Sequence, residues 1–371
     1  MTAPVQVRSA RPKSVNPADF ATVSAEQIDW KLTPVKKLTA LTEGVLDGSR
    51  YEFERETAGD VEIHWVPTSD PRVGTAGLPE DRAAANAWSA ASETLLIELG
   101  AKDVSHVTIT RDALGKTARA AHLVIAAAPF AKATIVLQNT GDALLTENVE
   151  IVLGDEAELT VVSLQEWNSD AKHLAAHYSR VGRNARLKHI VVSLGGEVIR
   201  VNPQTHLASD GSSVEMFGLY FSTSGQHIEQ QVYVNHDAPH SKSRVNYKGA
   251  LQGEGARSVW IGDVLIGAKA TGTDSYEQNR NLVLTDGTRA DSIPNLEIET
   301  GDIEGAGHAS ATGRFDDEQL FYLQARGISE LEARRLVVRG FLNEIVQEFG
   351  VPELADRIEA KLASQLELGV S

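Results

Sequence analysis

Gly154-Asp-Glu-Ala-Glu-Leu159 is followed by Gly182-Arg-Asn-Ala-Arg-Leu187 and Ser209-Asp-Gly-Ser-Ser-Val214, and Gly253-Glu-Gly-Ala-Arg-Ser-Val259 has the same texture. Each is a turn with Gly or Asp, a small residue, then an alternating apolar strand. The step from Leu159 to Leu187 is nearly equal to the step from Leu187 to Val214. Repetition at this period with little helix between predicts stacked coils of a β-solenoid, each burying its apolar face only against its neighbours. A β-sandwich with irregular strands is the alternative this texture leaves open.

The same composition runs from about Val104 to Ile303, in apolar runs that read as five to seven residues long. Period-two alternation is plain where Ile228, Gln230, Val232 and Val234 alternate with Glu229, Gln231, Tyr233 and Asn235. Before this region, residues 1–103 read as helical or irregular. A short helix begins near Ser24, Thr68–Asp81 is a Pro/Gly loop, and Ala-rich Arg82–Leu99 is predicted as a helix stopped by Gly100. Behind it, Ser329 and Glu332 form a capping box. Val338, Leu342, Ile345 and Phe349 then recur at helical spacing until Gly350, and Pro352 opens a last helix carrying Leu354, Ile358, Leu362 and Leu366. The organisation expected is therefore 1–103, 104–313 and 314–371.

The 371 residues are 42% hydrophobic and 23% charged, which is ordinary for a chain with a sizeable core. A formal net charge of −16 without a Lys/Arg cluster argues against nucleic acid. No run approaches 18 apolar residues, so no membrane span is expected. The first eighteen residues, polar with Arg8, Arg11 and Lys13, read as a disordered tail rather than a transit sequence. Cysteine is absent, which excludes disulfides, thiolate metal sites and cysteine nucleophiles, and suits a cytoplasmic protein.

Few residues suggest chemistry. His308, between Gly307 and Ala309, reads as a turn residue whose uncrowded imidazole could reach a metal, with Glu304 as a possible oxygen ligand. The pairs His173/His177 and His236/His240 have a zinc-like spacing but lie in strand or turn text, with no Glu in an HExxH arrangement. Thr110–Thr117 (TRDALGKT) ends like a phosphate-binding loop but lacks the first glycine and leads into a strand, which argues against ATP hydrolysis. No GxSxG occurs. The amide-rich run Gln278–Asn281 reads as structural, bonding backbone groups at coil turns.

The stretch GDIEGAGHASATGRFDDEQLFYLQARGISELEARRLVVRGF, Gly301–Phe341, resembles the carboxy-terminal signature of the SufB/SufD family of iron–sulfur cluster assembly scaffolds. The match runs through the His308 segment, DDEQLFYL, the Ala-Arg-Gly-Ile element and Gly340–Phe341. NHDAPHSKSRVNYKGAL, from Asn235, resembles the family's solenoid text. The resemblance implies a mainly β fold, a right-handed parallel β-helix flanked by N-terminal and C-terminal helical regions. It also implies a non-catalytic subunit of the SUF complex. Without cysteine, and shorter than SufB, the chain is similar to the SufD branch. That branch implies pairing with SufB through the last coils, docking of the SufC ATPase on the C-terminal helices, and ATP-driven strain that exposes His308 to iron. The implied metal residue is His308, shared with SufB; the implied SufC contacts are Phe321, Tyr322, Arg326 and Phe341. No cofactor is expected to stay on the isolated chain, with iron or a nascent cluster held transiently at the SufB interface. Other readings are a SufB-like or homodimeric scaffold with no metal role and a β-helix enzyme acting on polysaccharide, and a spare solenoid edge implies a homodimer when the chain is alone.

Overall fold

The computed structural model describes residues 11–315 and 317–368; the expected tail at residues 1–10 lies outside them. After a short helix α1 (Thr39–Thr42) come β1 (Glu54–Ala58), β2 (Val61–Pro67), α2 (Arg82–Ala90), β3 (Glu93–Leu99) and β4 (Ser105–Asp112). The chain then winds through β5 (Arg119–Ala127), β6 (Lys132–Gly141), β7 (Leu144–Leu153), β8 (Glu158–Trp167), β9 (Lys172–Val181), β10 (Arg186–Ser193) and β11 (Val198–Leu207). It continues through β12 (Ser213–Ser222), β13 (His227–His236), β14 (Lys242–Leu251), β15 (Arg257–Ile266), β16 (Thr273–Val283), β17 (Arg289–Ile298) and β18 (Ile303–Arg314). Helices α3 (Asp317–Gln324), α4 (Glu330–Val346) and α5 (Pro352–Leu368) end the described chain.

From β3 onward, alternate strands fall into two parallel sheets, so each coil gives one strand to each sheet and the whole is a parallel β-solenoid of about eight turns. At the first coil β1 pairs antiparallel with β4 and β2 with β3. The register carries the sequence repeat: Leu187 lies beside Leu159 on one side and Val214 on the other. The corners explain why. Phe130, Glu156, Asn184, Gly211, His240 and Gly272 all have positive φ and recur once per coil. From each, the N–H reaches a carbonyl of the next coil, as in Glu156 to Arg183 and Asn184 to Asp210. Just after these positions the chain places a fully buried small residue, such as Ala157, Ala185 or Ser212. Gly253–Val259 belongs instead to the opposite corner, where Gly225, Gly255 and Gly287 stack.

Leu95, Ile97, Ile125, Ile151 and Val161 fill the space between the sheets. The terminal regions cover the outer faces. The N-terminal segment lies on one sheet, with Arg200 stacked 3.9 Å over Trp30 and bonded to Asp81 and Glu229. On the other sheet, α4 and α5 bury Val338, Leu342 and Ile358 against Ile190, Leu219 and Phe221. Lys248 to Glu344 (2.5 Å) and Arg357 to Glu166 (2.5 Å) fasten the helices. They therefore cover a flank of the solenoid and leave its end open.

The expected helix over Arg82–Leu99 stops at Ala90, and Glu93–Leu99 is a strand. Leu95, Leu96 and Leu99 suit either period, and β3 is held by pairing to β2 and β5, so the solenoid starts before residue 104. Strands of the inner coils run 8 to 11 residues rather than five to seven, because covered outer faces let polar residues such as Asn148 sit mid-strand, bonded to the Ala84 carbonyl. The C-terminal helices follow their signals: Ser329 caps α4 through the Glu332 N–H, and Gly350 is left-handed before α5. Among the described residues no helix is long and apolar enough to cross a membrane.

Candidate functional site

The two sheets end at β17 and β18, and neither strand has a neighbour on its outer side among the described residues. His308 lies in the middle of β18 rather than in a turn. The small residues around it are strand residues, paired one for one with β16, and His308 is in register with Glu277. Parallel partners in register share a face of the sheet, so the imidazole lies over the buried carboxylate, Nδ1 3.9 Å from Oε1. The His308 side chain is 44% exposed; that of Glu277 is 1% exposed.

Neither Glu277 oxygen has a hydrogen bond of good geometry. Burial, reinforced by Asp263 and opposed by the Asn295 backbone N–H, pushes its carboxyl up to about 8. The carboxylate fits because Gly262 faces it from the other sheet. Around it the interior turns polar: Ser275 bonds Ser243 at 2.8 Å, and Asn279 donates to the Tyr220 hydroxyl and the Tyr247 carbonyl. The amide run thus lies within β16 and not at a turn, though Asn279 does satisfy a backbone carbonyl.

Glu304 does not join His308. It stands at a register shift in the β16–β18 ladder, and its carboxylate approaches Lys242 at 3.9 Å. The oxygen donor beside His308 is Glu277, one coil upstream, which no local motif marks. The available signal was the inward parity of Ser275, Glu277, Asn279 and Asn281 on the strand before His308.

The other histidine pairs do not converge. His173 is buried against Glu147 and Gln165, and His177 against His189 at 3.1 Å. His236 is buried between Ser241 and Ser243, while His240 is exposed at a corner and bonds Asp210. In the TRDALGKT segment a strand runs on to Asp112, another starts at Arg119, and Lys116 bonds Asp170. On α3, Phe321 is 72% and Tyr322 54% exposed, with the guanidinium of Arg326, just past the helix, 4.3 Å from the Tyr322 ring. Phe341 faces the other way, packed on the apolar layer with the Lys248 ammonium 5.1 Å from its ring.

Residues 108–341 match the family model described as SUF system FeS cluster assembly, SufBD core domain. The chain belongs to the SufBD family. An iron-sulfur cluster assembly SufBD family protein of Mycobacterium tuberculosis is 47% identical over 350 residues, covering 91% of this chain and 88% of the relative. One from Mycobacterium leprae is 45% identical over 349 residues with the same coverage. A second, distant SufBD family protein of M. leprae is 28% identical over 207 residues, covering 56% of this chain and 24% of its own length. The SufBD match spans β18 and His308 and ends at Phe341, within α4.

Proposed function

We propose that this chain is the SufD-type subunit of the SUF system, a non-catalytic cytoplasmic partner that pairs with SufB, holds SufC, and brings iron to a nascent cluster through His308. The observation that carries the reading is the free edge of β18. From Gly305 to Gly313 it reads GAGHASATG, without one charged residue. Exposed edges are ordinarily blunted by charge, proline or cover. An open edge of small residues suits strand addition by another solenoid, in which main-chain hydrogen bonds supply affinity and the small side chains permit close approach.

The chemistry divides between partners. Clusters are held mainly by thiolates, and a chain without cysteine offers none, so thiolate ligands come from SufB. That requirement favours the SufD type over a SufB-like scaffold. Two SufBD family proteins in M. leprae, one similar to this chain along most of its length and one distant, supply a precedent for unlike family members in one organism. For SufC, exposed Phe321 and Tyr322 and the groove of about 370 Å³ between α4 and α5 offer a dock on the C-terminal helices. Movement of SufC on ATP binding would then be passed through Lys248–Glu344 and Arg357–Glu166 into the coils.

Co-expression with SufB and SufC tests the assembly. The expected product is a stable complex with one SufB, one copy of this chain and two SufC. A chain that purifies only as its own dimer in the presence of both partners contradicts the reading and favours a homodimeric scaffold.

A further inference from the structure

A carboxylate sealed inside a protein with neither oxygen properly hydrogen-bonded is costly. Glu277 is such a group, and it is the one placed directly beneath His308. Nothing about the solenoid requires an acid there: the in-register positions on either side are Val245 and His308. The opposite wall carries glycine at 262, where a methyl group would lie 2.4 Å from Oε2. The interior is therefore shaped around a carboxyl group that the protein itself leaves without a counter-charge in contact, with the half-exposed imidazole above it.

We infer that Glu277 is the second ligand of the iron captured at His308, so that this chain alone presents a one-nitrogen, one-carboxylate half-site for Fe(II). The inference rests on the reading of His308 given above. The geometry fits a shared cation. At metal–ligand lengths of about 2.1 Å, a tetrahedral angle needs its two donor atoms about 3.4 Å apart. The observed 3.9 Å separation of Nδ1 and Oε1 closes to that value with a small turn of the imidazole. Imidazole and carboxylate together suit divalent iron ahead of thiolate-preferring ions, and SufB would complete the ligand set with sulfur. The buried acid thereby separates the two halves of the chemistry, with iron held by this chain and sulfide and thiolate supplied across the edge.

The test is anaerobic titration of the isolated full chain with Co(II), read by its visible d–d bands, and with Fe(II) by competition. The wild type is expected to bind one ion per chain. Glu277→Gln and His308→Ala should each weaken binding at least tenfold, the loss that even an outer-shell partner causes. Glu277→Asp, which keeps the carboxyl group but draws it back, should fall between wild type and Glu277→Gln; cooperative thermal unfolding confirms that each variant is folded. Wild-type affinity in Glu277→Gln with loss in His308→Ala overturns the role of Glu277 and leaves that of His308 standing. Unchanged affinity in both variants overturns both, and a wild-type chain that binds no Co(II) overturns the half-site on this subunit.

Discussion

Gly262 on β15 leaves the space that the Glu277 carboxylate on β16 occupies: a methyl group at residue 262 would lie 2.4 Å from Oε2 and 2.3 Å from the Trp260 ring. The two positions face each other across the interior of the last full coils. Gly262→Ala overpacks this point, and its expected cost is about 1–3 kcal/mol, measured by denaturant unfolding. An unchanged midpoint would show that the site has slack and that the glycine is incidental.

Glu277 also makes a prediction about pH. Its carboxyl is raised from 4.5 to about 8 in the folded chain, so the native state binds a proton that the unfolded chain has already lost. Its contribution to stability is therefore greatest below pH 4.5, declines as pH rises and levels off above about 8. Glu277→Gln removes this decline and is expected to stabilise the chain at pH 7 by about 3 kcal/mol. Equal stability of the variant and the wild type at pH 7 would mean that the carboxylate is compensated where it lies.

The buried histidines act in the opposite direction. Burial lowers His177 and His236 from 6.5 to about 4 and His189 well below its usual value. Their contribution is complete above pH 6.5 and is lost as pH falls towards 4, about 3 kcal/mol for each of His177 and His236. In the Glu277→Gln background, where the opposing group is gone, unfolding free energy should drop steeply between pH 6.5 and 4. A flat profile over that range would contradict the neutral, buried state of these rings.

The aromatic residues of the C-terminal helices separate by role. Phe321→Ala and Tyr322→Ala alter exposed side chains and should change stability by less than about 0.5 kcal/mol while weakening capture by SufC. Phe341→Ala removes a ring packed beneath Lys248 and against the apolar layer, with an expected loss of about 1–3 kcal/mol. Retention of SufC by the Phe321→Ala/Tyr322→Ala double variant would move the dock elsewhere.

The coil repeat was legible because its turn chemistry is local: Glu156, Asn184 and Gly211 each hold a left-handed corner followed by a small buried residue. The α4 cap at Ser329 was legible for the same reason. Leu95, Leu96 and Leu99 misled because a buried strand beside an Ala-rich helix satisfies both periods. His308 reads as a turn residue because an edge strand of Gly, Ala and Ser has no apolar alternation to betray it. Inward parity marks Glu277 only as a buried polar residue; its pairing with His308 is set by register across a coil. The spacing of successive corners, from Phe130 through Asn184 to Gly272, varies from coil to coil, so no fixed offset points from one residue to the other.

The central claim is that this subunit contributes iron to cluster assembly through His308. The most direct measurement is the iron and sulfide content of the anaerobically purified complex with SufB and SufC, comparing wild type with His308→Ala. The account predicts an intact complex that has lost both iron and sulfide; an intact His308→Ala complex with wild-type cluster content would contradict it.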